Sequence, residues 1–237
     1  MRKEGFFMKE RAKFSAAVVL LICLIAVCFG AGTVLRGEIR EGREASGQAA
    51  AVRVILDPGH GGMDAGKTGV NGAEEKEINL KIALKIKKLL EKEKIEVIMT
   101  RTEDERLAET QVEDLKERVR IMNEETPVLA VSIHQNSYHE EGVHGAQVFY
   151  YSDSAEGKRA GEIMQGILND KLPENQKEAK ANNSYYILKK TEIPVIIVEC
   201  GFLSNYDEAE KLADEEYQQT VAEAVKEGIT KYIEDVR

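Results

Sequence analysis

The sequence predicts an α/β fold: a single three-layer domain whose mainly parallel, mixed central sheet of about six strands is flanked by helices, preceded by one N-terminal membrane helix. Three observations predict it. From Val52 onward, short runs of branched apolar residues alternate with segments of helical period. Polar residues able to do chemistry, Asp57, His134 and Glu199, close three of those apolar runs, and in parallel sheets functional groups collect at the carboxyl ends of strands. Ahead of all this, Phe14 to Leu35 is a stretch of 22 residues without a charge.

Taken in order, residues 1–13 form a basic N-terminus expected to stay in the cytoplasm. Residues 14–35 read as a transmembrane signal-anchor or signal peptide, since a helix of that length spans roughly 30 Å of hydrocarbon. Residues 36–51, polar, small and aperiodic, read as a linker, and 52–237 as the folded domain. Within it "VRVILD" is the first strand, and Ile78, Ile82, Ile86 and Leu90 mark a helix. "IEVIMT" is the second strand; Val112, Leu115, Val119 and Met122 mark the next helix; "VLAVSIH" and "GAQVFYY" are further strands. Ile163 and Ile167 sit in a third helix, "SYYIL" and "VIIVE" read as strands, and Val221, Val225 and Ile229 mark a C-terminal helix. The stretch Pro173 to Ser184 is polar and reads as a solvated loop that would at most rim a binding groove.

Charge narrows the partners. The chain of 237 residues has net charge −9, and residues 1–35 carry five basic and two acidic side chains, so the rest carries −12. An acidic body argues against nucleic acid or an anionic membrane surface as its main partner. Of three cysteines, Cys23 and Cys28 lie in the apolar stretch, which leaves Cys200 alone and no intrachain disulfide for the exported body.

Chemistry concentrates at the strand ends. His60 sits in "DPGHGGMDAG", where Gly59, Gly61 and Gly62 permit a tight turn. The loop lacks the lysine and hydroxyl of a phosphate-binding P-loop. His134 closes "VSIH". Two imidazoles and one carboxylate, with a position left for water, is the donor set of catalytic zinc. The carboxylate is open among Asp57, Asp64, Glu74, Glu75 and Glu77, and helix-dipole complementation is the plainer role for the last three. Asp57 would either orient His60 or cap the loop. Asn136 would bind substrate or shape a turn, and His139 and His144 read as surface residues. In "IPVIIVECGFLSN", Glu199 and Cys200 alternate to opposite faces. A thiol nucleophile needs a nearby base, and the well-placed histidines are those of the metal set.

Four segments in this order, "ILDPGHGGMDAG", "EEKEINLKIA", "VSIHQNS" and "IIVECGFLSN", closely resemble the zinc-dependent N-acetylmuramoyl-L-alanine amidases of bacterial cell walls. The resemblance covers nearly all of residues 52–233. The "MTR" and "LAE" segments, "EDLKERV" and the short layout look most like the germination-specific, spore-cortex branch. It implies one Zn²⁺ per chain held by His60, Glu75 and His134, with Glu199 as the catalytic acid/base. It implies peptidoglycan glycan-peptide strands as substrate and a place outside the cytoplasm, membrane-anchored or secreted, in the forespore or spore-cortex space. An accessory exported protein is a further expected partner. With 64 residues between His134 and Glu199, most of them assigned to strands and helix, no inhibitory helix plugging the metal site is expected. The competing readings are a vegetative cell-wall amidase, a non-catalytic peptidoglycan-binding module, a zinc carboxypeptidase, for which Met63 stands where a glutamate is needed, and a cysteine hydrolase.

Overall fold

A computed structural model describes residues 52–172 and 174–237; the expected membrane segment and linker lie outside the described residues. Among the described residues no helix is long and apolar enough to cross a membrane. The strands are β1 (Arg53–Pro58), β2 (Glu96–Met99), β3 (Leu129–Asn136), β4 (Gln147–Tyr151), β5 (Lys180–Asn182) and β6 (Val195–Phe202). The helices are α1 (Glu75–Lys92), α2 (Gln111–Glu125), α3 (Ala155–Lys171), α4 (Tyr186–Lys190), α5 (Tyr206–Ala213) and α6 (Glu215–Asp235).

The sheet order is β2-β1-β3-β6-β4-β5. All neighbours run parallel except β4, which is antiparallel to β6. The central strands carry side chains buried on both faces, which explains their unbroken apolar runs. One face is covered by α1, α3, α5 and α6 through residues such as Ile82, Met164, Leu212 and Val225. Among the described residues the other face carries only α2 and α4, through Val119, Met122, Ile187 and Leu188. Four helix starts are capped by side chains: Thr110, Ser154, Asn205 and Asp214 each accept from a backbone N–H of the following turn.

Two expectations are corrected. "SYYIL" is not a strand: Tyr186 to Lys190 is the short helix α4. The Asn182 side-chain oxygen accepts from the N–H groups of Ser184 and Tyr185 and turns the chain out of the extended state. Ile187 and Leu188 then enter the same apolar cluster on one face of the sheet, which adjacent strand residues facing opposite ways would not do. The sixth strand comes instead from the polar loop, as β5 at the sheet edge, where polar side chains cost nothing. Asn175 of the same segment is buried, donating to the carbonyl of Ala146. Helix α5 adds an element that the apolar periodicity did not mark.

Candidate metal centre and active site

The site forms where β1, β3 and β6 end. Past β1 the chain enters a loop in which His60 adopts φ 62°, followed by Gly61 at φ 138° and Gly62 at φ 56°. Gly59 donates its N–H to the carbonyl of Ile133 (3.0 Å), tying the loop to β3. A Cβ on Gly59 would sit 2.1 Å from His134 Cε1, so only glycine leaves room for that ring. Glu75 opens α1, whose first turn docks on the loop through Glu75 N–H to Lys67 O and Lys76 N–H to Ala65 O.

Glu75 joins the two histidines. Its Oε1 lies 2.9 Å from His134 Nδ1 and its Oε2 3.3 Å from His60 Nε2. The same carboxylate accepts from the N–H groups of Gln135 (3.1 Å) and Lys67 (2.8 Å). The two rings stand edge to face, 5.0 Å apart. Burial pushes Glu75 upward, but its bonds to His134 and His60 outweigh this and hold it well below the usual carboxylate range. His60 is raised to about 9: burial lowers it, and the Glu75 and Asp64 carboxylates more than compensate. The spacing fits a metal, because one donor atom from each of His60, Glu75 and His134 lies within 4.8 Å of the others, and two imidazoles with a carboxylate are a zinc donor set. Glu74 points away, half-exposed and paired with Lys76.

Glu199 lies beside His134 in the β3–β6 ladder, and paired residues of parallel strands face the same way. It is buried, and its Oε2 has no hydrogen-bond partner among the described residues. Burial, opposed by His134 and reinforced by the Glu75 charge, pushes its pKa up to about 7. Cys200 points to the opposite face, fully buried in the apolar cluster under α5 and α6; burial pushes its thiol up, away from the reactive thiolate.

The remaining candidates fall elsewhere. Asp57 neither orients His60 nor caps the loop with its side chain. It accepts from Arg118 Nη1, Thr100 Oγ1 and Ser132 Oγ, each at 2.6 Å, because the β1 side chain at this position points into the interior between β3 and α2. Asp64 is the residue that orients His60, its Oδ2 lying 3.0 Å from Nδ1. Its place four residues after His60 was the available signal. Asn136 turns its side-chain oxygen onto the N–H of Ser137, the turn role. His139 and His144 are exposed. Arg101 and Arg118, both buried against the loop, lie in the "MTR" and "EDLKERV" segments that share in the family resemblance, but their residue type and spacing gave no sign that they would be buried. Between β3 and β6 the described helices are α3, packed on α6 through Met164 and Gly228, and the single-turn α4.

Residues 54–231 match the family model described as N-acetylmuramoyl-L-alanine amidase. The germination-specific N-acetylmuramoyl-L-alanine amidase of Bacillus subtilis (strain 168) is 35% identical over 76% of this chain and 78% of its own length. The CwlD amidase from Clostridioides difficile, solved in complex with the GerS lipoprotein, superposes with TM-score 0.74 at 36% identity, covering 77% of this chain and 98% of that one. The catalytic domain of the amidase CwlV from Bacillus (Paenibacillus) polymyxa gives TM-score 0.71 at 30% identity, over 77% and 98%. Fold, ordered motifs and relatives agree: this chain belongs to the N-acetylmuramoyl-L-alanine amidase family.

Proposed function

We propose that the protein is a zinc-dependent amidase that hydrolyses the bond between N-acetylmuramic acid and L-alanine in peptidoglycan, and that it does so in spore-cortex maturation. The observation that carries the chemistry is the pairing across one ladder position of His134, part of a two-imidazole, one-carboxylate cluster, with Glu199, a buried carboxyl raised to about 7. Zinc held by His60, Glu75 and His134 would supply Lewis acidity toward the scissile carbonyl and toward water. Glu199 takes a proton from the attacking water and passes it to the departing amine, and a pKa near neutrality suits both halves of that transfer. Without metal, Glu75 bridges the His134 and His60 nitrogens that face the metal position, contacts that ligation would replace, and the backbone N–H groups of Gln135 and Lys67 hold its carboxylate in place. Asp64 fixes the tautomer and orientation of His60.

The setting follows from the relatives and the N-terminus. The similarity to a germination-specific amidase supports the cortex role. The uncharged stretch 14–35 behind basic residues supports export, membrane-anchored or secreted. The complex of a similar amidase with a lipoprotein supports an accessory exported partner. Two tests separate the parts. Dye release from labelled wall should stop with a chelator and return with zinc; activity indifferent to both would sink the metal reading. Loss of the gene should strip muramic lactam from the cortex while leaving vegetative muropeptides unchanged; changes confined to the vegetative wall would move the enzyme there.

A further inference from the structure

Among the described residues three non-glycine side chains take positive φ: His60, Lys94 and Thr126. Lys94 and Thr126 sit just past the ends of α1 and α2, where a left-handed residue commonly closes a helix. His60 has no such excuse. It is a candidate ligand held in a backbone region that disfavours side chains with a Cβ.

The loop's carbonyls show what holds it there. Pro58 O accepts from Arg118 Nη1 (2.8 Å) and Arg101 Nε (3.0 Å). Gly59 O accepts from Arg101 Nη2 (3.0 Å) and Asn79 Nδ2 (3.2 Å). His60 O accepts from Arg118 Nη2 (2.8 Å). Gly61 O and Gly62 O take the N–H of Asp64 and the ammonium of Lys76. Five successive carbonyls are thus satisfied, three of them by two guanidinium groups.

Both arginines are almost wholly removed from solvent, at 2% and 1% exposed. Arg118 is seated on Asp57 (2.6 Å) and Asp114 (2.7 Å). Arg101, by contrast, gives its four bonds to carbonyls, of Pro58, Gly59, Lys76 and Glu103. Buried charge of this kind is poor value for stability alone. Its fan of donors converges on the one turn that carries His60.

We propose that Arg118, braced by Asp57 and assisted by Arg101, is a positioning residue that sets the His60 turn in its ligand geometry before metal arrives. The side chain of Asp57 thereby acts on the site at one remove, through Arg118 rather than through the imidazole. The guanidinium fork is essential to this, because Arg118 must reach Asp57, Pro58 O and His60 O together; a lysine ammonium at the same position keeps the charge but cannot span all three. The consequence for metal affinity rests on the zinc reading above, whereas the pre-set loop does not.

Two measurements test it. In wild-type protein stripped of metal, the amides of Gly59, Gly61 and Gly62, which donate to Ile133 O, Asp64 O and Asp104 Oδ1, should remain as protected from hydrogen exchange as in the zinc-loaded protein. Exchange at open-chain rates until zinc is added would overturn the proposal, because the metal would then be ordering the loop. Second, zinc competition against a chromophoric chelator should show Arg118→Lys binding about 10–100-fold more weakly, with activity recovering as zinc is raised. Ser132→Ala, which removes a donor to Asp57 but touches no loop carbonyl, should keep wild-type zinc affinity. Equal affinity in Arg118→Lys and wild type, or an equal loss in Ser132→Ala, would refute the positioning role. Should Arg118→Lys not fold, the wild-type exchange experiment decides. Failure of wild type to bind zinc would sink the metal reading and leave the exchange result to judge the clamp.

Discussion

Glu199 is where burial becomes chemistry. The residue is 8% exposed and one carboxylate oxygen is buried without a partner among the described residues, an arrangement that an inert side chain would avoid. Glu199→Ala and Glu199→Gln should each lose about 10²–10⁴-fold in turnover while binding zinc as wild type does; near-normal turnover in a zinc-loaded variant would remove Glu199 from the mechanism. The same burial has a stability signature in metal-free protein. The folded pKa, about 7, lies above the ordinary 4.5. Below pH 4.5 both folded and unfolded forms are protonated and nothing is lost. As pH rises through 4.5 toward 7 the unfolded carboxyl ionises and the folded one resists, so stability falls, by an amount on the order of 3 kcal/mol. Denaturant melts of chelated protein at pH 5 and pH 8 should therefore show Glu199→Gln gaining on wild type at the higher pH. Gly59 offers a second test at this scale. Gly59→Ala would drive a Cβ into the His134 ring; it should abolish tight zinc binding while the far-ultraviolet circular dichroism stays native. Retained zinc affinity would show that the ring has another place to go.

At the scale of elements, the sheet does the assembling. Asp57, His134 and Glu199 come from strands far apart in the chain, and the order β1-β3-β6 makes them neighbours. The strand ends were legible because β1, β3 and β6 are buried on both faces and read as plain apolar runs. "SYYIL" was misleading for a physical reason: aromatic and branched residues favour strands, but Asn182 bends the chain first and the docking of Ile187 and Leu188 overrides propensity. β5 was missed because a three-residue edge strand needs no apolar pattern. Within the site, His60 and His134 were chosen by residue type and position; Glu75 over Glu74 needed the resemblance, since both open the same helix. The structure separates them by burial and by the bonds to both imidazoles. Asp64 and the two arginines act through atoms that sequence does not arrange. Helix packing makes its own prediction. Gly228 of α6 lies so close to α3 that an added Cβ would stand 2.5 Å from Met164 Sδ and 3.3 Å from its Cα. Alanine is the better helix former by about 1 kcal/mol, yet Gly228→Ala should destabilise by about 1–3 kcal/mol through overpacking. A raised melting temperature would show that Met164 moves aside freely.

At the scale of the whole molecule, the two faces of the sheet divide the labour. The face under α1, α3, α5 and α6 holds the main apolar cluster, and the face under α2 and the single-turn α4 is the one that Glu199 and His134 share with Ile197 and Ala130. The lone described cysteine, buried and with its thiol pushed upward, needs no disulfide partner and offers no nucleophile. The proposed reaction cleaves one particular bond, the amide between N-acetylmuramic acid and L-alanine. Mass analysis of purified peptidoglycan digested with zinc-loaded protein tests it most directly. Cleavage there releases free stem peptides beginning with an L-alanine amine and leaves glycan strands whose muramic acid has lost its peptide, both absent with Glu199→Gln or with chelator. Products cut within the stem peptide or between sugars, or the same products from Glu199→Gln, would contradict it.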